Sequence, residues 1–119
     1  MSLPSFDWRQ LQTASGGDTT LEMEVLELFI QHTEAQLHAL SEAWSHRDLT
    51  ILVQLAHQLR GSCSNIGALT LNRVMTEIEH YAALGKEMDL ELLMEALGPA
   101  FKQTVNEIYQ YSGQPFQKG

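Results

Sequence analysis

Apolar residues recur at intervals of three and four along almost the whole chain, the spacing of helices that each bury one face. Leu26, Phe29, Thr33, Leu37, Leu40 and Trp44 draw a narrow seam along a helix of about six or seven turns. Gly16-Gly17 interrupts the segment before it, and Thr19 with Glu22 three positions later forms a capping-box pattern at its start. Ahead of the glycines, Phe6, Trp8 and Leu11 predict a short leading helix folded over one end of the molecule. Asp48 is placed to cap a second long helix whose Leu52, Leu55, Ala56, Leu59, Cys63 and Ile66 share one face, and Asn65 to Ala68, with Gly67, should end or bend it. A third carries Leu71, Val74, Met75, Ile78 and Ala82 inward and stops near Leu84-Gly85, where glycine suits the left-handed residue beyond a helix end. Asp89 is set to cap a fourth, with Leu90, Leu93, Ala96, Leu97, Phe101, Val105, Ile108 and Tyr109 inward and a kink or short break at Gly98-Pro99.

The predicted helices therefore run over about 5–15, 20–46, 48–65, 69–84 and 89–112. No segment alternates like a strand, and no internal repeat or low-complexity tract interrupts the pattern. Four long helices with short joints imply an all-α fold, an antiparallel up-down four-helix bundle with a short extra N-terminal helix. With 119 residues and 44% hydrophobic composition, one domain over 1–119 has a real core and no room for a second.

Charge narrows the partners. Seven Lys and Arg against 15 Asp and Glu, a net charge of −8, argue against nucleic acid or an anionic membrane and for a protein partner. No apolar run approaches the roughly 20 residues that span a bilayer, and Met1-Ser2-Leu3-Pro4-Ser5 has neither the basic nor the apolar part of a signal segment, so a soluble intracellular domain is expected. Cys63 is the one cysteine, which excludes an internal disulfide and places this thiol with the core.

One window departs from the acidic background. From Leu49 through Thr76 there is no Asp or Glu, yet the window holds His57, Arg60 and Arg73. With Leu52 at zero on a helical wheel, Arg60 falls near 80°, Ser64 near 120°, His57 near 140° and Gly61 near 180°, a patch on the outer side of the helix. An exposed neutral imidazole is a nucleophile that needs no base to activate it, and it can attack phosphorus directly. Arg60, one turn on, supplies a fixed cation for phosphoryl oxygens. Gly61 costs about 1 kcal/mol of helix propensity against alanine, and its outward direction points to clearance for an approaching partner.

His57-Gln58-Leu59-Arg60-Gly61-Ser62, continued by Ile66-Gly67-Ala68 and preceded by the Gly16-Gly17-Asp18 turn before Leu28-Phe29, resembles the histidine-containing phosphotransfer (HPt) domains of two-component phosphorelays. The resemblance covers nearly the whole chain. It implies a phosphoacceptor at His57, a basic residue three later at Arg60, where lysine is usual, and the glycine next to it at Gly61. It also implies a four-helix bundle that carries a phosphoryl group between aspartates of response-regulator receiver domains, without a nucleotide site of its own and without being an independent enzyme. Mg²⁺ would come from the receiver. Gln58 and Ser64 flank the acceptor, and Glu79 stands where relatives place a polar group beside the histidine. Since a carboxylate repels a phosphohistidine, Glu79 is expected to orient the unmodified ring or an adjacent side chain.

The partners so implied are receiver domains and a hybrid histidine kinase, met by a monomer that is either free in the cytosol or the cytoplasmic C-terminal module of a membrane-anchored hybrid kinase. Exposed apolar residues near Leu28, Ile30 and Val53 would extend the docking surface beside His57. A competing reading is a helical docking module that keeps the fold and has lost the chemistry; intact His57 and Arg60 speak against it. The dimerisation segment of a histidine kinase is disfavoured because Gln58, not an acidic residue, follows the histidine. His32, His38, His46 and His80 make no i, i+4 pair on one face, so no metal site is expected.

Overall fold

The computed structural model describes residues 6–112. They form five helices: α1 (Trp8–Ser15), α2 (Thr19–Ser45), α3 (Leu49–Ile66), α4 (Leu69–Leu84) and α5 (Glu87–Ser112). Aspartates start the first three. Asp7, Asp18 and Asp48 each accept a backbone N–H of the turn they open, at Arg9, Leu21 and Ile51, which satisfies donors that the helix itself leaves unpaired. Glycines end α1, α3 and α4: Gly16, Gly67 and Gly85 take left-handed backbone angles at the three C-caps.

Three boundaries differ from the sequence expectation. α1 begins at Trp8, since Phe6 pairs in an isolated bridge with Ala68 instead of joining the helix; the expected start at residue 5 lies outside the described residues. The cap of α2 is Asp18, not Thr19, because the Asp18 carboxylate reaches the Leu21 amide at 3.0 Å; Glu22 is thereby one position too far along to close a capping box, and it accepts from Ser15 Oγ instead. α5 starts at Glu87, because Leu90 N–H already bonds Lys86 O at 3.1 Å, which makes Asp89 a first-turn residue favoured by the helix dipole rather than the cap.

Nor does α5 break at Gly98-Pro99; the helix runs through Pro99. A mid-helix proline costs roughly 3 kcal/mol, and the burial of Leu97, Ala100, Val105 and Ile108 on either side outweighs it.

Helix pairs α2–α3, α3–α4, α4–α5 and α2–α5 pack together, a closed ring around one core, with α3 and α5 not adjacent in it. Leu26, Leu40, Leu52, Ala56, Leu59, Cys63, Leu71, Met75, Ile78 and Leu90 are fully or almost fully buried there. Leu37, Trp44, Leu55, Val74, Leu93, Phe101 and Tyr109, expected inward, are only partly buried, and Ala96 is exposed; Ala100 and Thr104 take the inner positions on that stretch of α5. Burial pushes the Cys63 thiol up to about 12, in keeping with a packing role.

Two fastenings hold the joints. At one end Asp7 N–H donates to Gly67 O at 2.8 Å, and a side chain at Gly67 would collide with the Asp7 carbonyl, so the chain before α1 is pinned to the α3–α4 joint. Trp8 stacks between Phe6 and Tyr111 with centroids 4.4 and 4.0 Å apart, which ties α1 to the end of α5. At the other end Arg47, left-handed at φ 53, lays its guanidinium over Trp44 and pairs with Glu87 at 3.1 Å. No helix among the described residues is long and apolar enough to cross a membrane.

Candidate functional site

The buried stripe of α3 aims Leu52, Ala56, Leu59 and Cys63 at the core and so turns His57, Gln58 and Gly61 outward to solvent. The wheel expectation for the outward patch holds: Arg60 is half-buried at its edge, and Ser64 is exposed one turn beyond Arg60. The His57 side chain is 64% exposed.

What the chain order hides is the second helix of the site. α4 packs along α3, and Glu79, 22 residues after His57, comes to rest between His57 and Arg60. Oε2 of Glu79 lies 3.0 Å from His57 Nδ1, and Oε1 lies 3.0 Å from Arg60 Nη1. The carboxylate is mostly covered, at 23% exposure. Oε1 is buried and receives no straight hydrogen bond, so Arg60 compensates its charge as an ion-pair partner without an aligned donor.

The geometry decides the chemistry of the ring. A carboxylate can only accept, so in the neutral ring the proton sits on Nδ1 and the lone pair on Nε2, at the corner of the ring away from Glu79. That tautomer leaves Nε2 able to act as a nucleophile. As the ring attacks an electrophile it gains positive charge, and a carboxylate held at Nδ1 stabilises that charge, as the aspartate of a catalytic triad does.

Beside the ring the surface is open. A Cβ built on Gly61 meets nothing within 4 Å, so no neighbour inside the fold requires glycine at this position. Ser64 accepts from Asn72 Nδ2 at 2.6 Å, and Thr76 Oγ1 donates to Asn72, which continues a polar rim along the α3–α4 groove. Asn72 and Thr76 were not singled out by the sequence; the i, i+4 spacing of two small polar residues on α4 was the available sign. Leu28 is exposed on α2, at 65%, whereas Ile30 and Val53 are only partly so. Among the described residues no three His, Cys, Asp or Glu side chains converge as metal ligands.

Comparison with known proteins identifies the family and the fold. Residues 24–111 match the Hpt domain family. The phosphorelay intermediate protein rdeA of Dictyostelium discoideum is 30% identical over 105 residues, which is 88% of this chain and 40% of the relative's length. The chain thus spans well under half of that curated relative. The crystal structure of histidine-containing phosphotransfer protein B (HptB) from Pseudomonas aeruginosa PAO1 superposes with a TM-score of 0.85 at 26% identity, covering 94% of this chain and 97% of the other. The HPT domain of a sensor hybrid histidine kinase from Shewanella has the same fold, with a TM-score of 0.73 at 19% identity over 95% and 97% of the two chains. This chain belongs to the Hpt domain family of phosphorelay proteins.

Proposed function

We propose that the protein is a phosphoryl carrier in which His57 accepts a phosphoryl group from the aspartate of one response-regulator receiver and passes it to the aspartate of another. The observation that carries this reading is the pairing of an exposed imidazole, 64% accessible, with a covered carboxylate at its Nδ1. Nε2 attacks the phosphorus of the aspartyl phosphate; the N–P bond forms as the acyl phosphate P–O bond breaks, and the electron pair leaves with the receiver's carboxylate. The reverse reaction loads the next receiver. Glu79 steadies the charge that the ring gains, and Arg60, at the edge of the same patch, meets the phosphoryl oxygens. Gly61 leaves room for the receiver's reacting loop.

The closed ring of packed helices supports an antiparallel four-helix bundle as the scaffold. The carrier acts as a monomer, the receiver supplies Mg²⁺, and a hybrid histidine kinase stands upstream. Such a carrier works in the cytosol, either free or as the C-terminal module of the kinase.

The test is transfer from a panel of phosphorylated receivers to the wild type and to His57→Gln, with the linkage assayed for acid lability and base stability. Label on the wild type and none on the variant is expected. Receivers that bind without transferring label would instead favour an inert docking module.

A further inference from the structure

Three of the most exposed large apolar side chains gather where α4 gives way to α5: Met88 at 83%, Leu92 at 69% and Leu84 at 56%. Leu84 ends α4, and Met88 and Leu92 stand one turn apart on α5. With Met88 at zero on the wheel of α5, Pro99 falls near 20°, Leu92 near 40° and Ala96 near 80°, all exposed, while the buried Leu90 and Leu97 point roughly the opposite way. The outward face of the first three turns is therefore an apolar stripe. Glu87, Glu91 and Glu95 run along one edge of it, and Asp89 stands on the other.

Only Glu87 of these carboxylates is neutralised, by Arg47; Asp89, Glu91 and Glu95 have no ion-pair partner among the described residues. The charge of the edges selects the occupant. A second copy of this chain would set like-charged edges against each other, and an anionic lipid or nucleic acid would be repelled in the same way. We propose that this face docks a basic amphipathic segment of another protein, its apolar side on Met88 and Leu92 and its Lys or Arg residues on Glu91, Glu95 and Asp89.

The position of the stripe gives this contact a use. α3 and α5 are not neighbours in the helical ring, so the outward face of α5 looks away from the helix that carries His57. A protein held on α5 leaves the imidazole accessible, and the chain can be tethered to one partner while it reacts with another. The docking face follows from exposure and charge alone and does not depend on the chemistry of His57.

The probe is a synthetic helical peptide of leucine and lysine with one apolar face, titrated into the ¹⁵N-labelled full chain, with its leucine–glutamate counterpart as control. Shifts concentrated in residues 84–96, with His57 to Gly61 unmoved, are expected. The exposed double variant Met88→Gln/Leu92→Gln should weaken the peptide about tenfold, as should Glu91→Gln/Glu95→Gln, with helicity and melting unchanged. Shifts spread over the acidic surface, equal binding of the glutamate peptide, undiminished affinity in either double variant, or self-association of the free chain through residues 84–96 would each overturn the proposal.

Discussion

Glu79 on α4 holds His57 on α3 through Nδ1 at 3.0 Å, across 22 residues of chain, and its other oxygen faces Arg60 at the same distance. One carboxylate thus sets the tautomer of the ring and restrains the neighbouring cation. Each of these contacts has a separable consequence.

Glu79→Gln keeps an oxygen that can accept from Nδ1 but removes the charge that stabilises a ring turning positive. A charge-assisted hydrogen bond exceeds a neutral one by about 1 kcal/mol, so transfer between receiver and His57 should slow several-fold to about tenfold in both directions. Glu79→Ala, which also frees the ring to rotate, should slow it further. Rapid-quench transfer kinetics with circular dichroism as the folding control check both.

Arg60→Ala should reduce transfer by roughly 10- to 100-fold, the range for losing a hydrogen bond to a charged group, and leave Glu79 without its cation. Arg60→Lys keeps the charge and loses the fork, so most of the rate should return. Equally slow alanine and lysine variants would show that transfer needs the guanidinium fork and not the charge alone.

Two glycines separate docking from folding. At Gly61 an added methyl meets open space, so Gly61→Ala should leave the fold intact and raise helix stability by about 1 kcal/mol, yet slow transfer by obstructing the partner. Gly67 combines φ +81 with the Asp7 carbonyl against the position of a Cβ, and Gly67→Ala should lower the melting temperature by several degrees, a loss of roughly 1–2 kcal/mol or more. Thermal melts beside transfer assays resolve the two.

Cys63 is buried, and burial pushes its thiol up to about 12, well above the ordinary thiol range. The native protein should resist thiol reagents near pH 8 and react fully once unfolded. A raised native value means that this group's contribution is complete below pH 9 and is lost as pH climbs from 9 towards 12, because only the unfolded chain ionises there. Melts at pH 8 and pH 10.5 should show the decline, and Cys63→Ala should reduce it while lowering stability for want of packing.

Much of this was legible in the pattern of residues. Helical spacing located all five helices, and the wheel of α3 placed His57, Gly61 and Ser64 outward because one buried stripe determines every other direction on a helix. Glu79 was legible only through resemblance, since the contact depends on the register of α4 against α3, which periodicity leaves open. The shifted start of α2 turned on which of two adjacent capping residues, Asp18 or Thr19, reached an amide, a choice settled by local geometry. At Pro99 the helix continues without a break, because propensity counts the lost hydrogen bond and not the core that α5 buries on both sides of it.

The most direct test of the account is to load the ¹⁵N-histidine-labelled chain from a receiver and read which nitrogen carries phosphorus by long-range ¹H–¹⁵N and ³¹P correlation. Phosphorus on Nε2 of His57, with Nδ1 still protonated, is the predicted result. Phosphorus on Nδ1, or on His32, His38, His46 or His80, would contradict it.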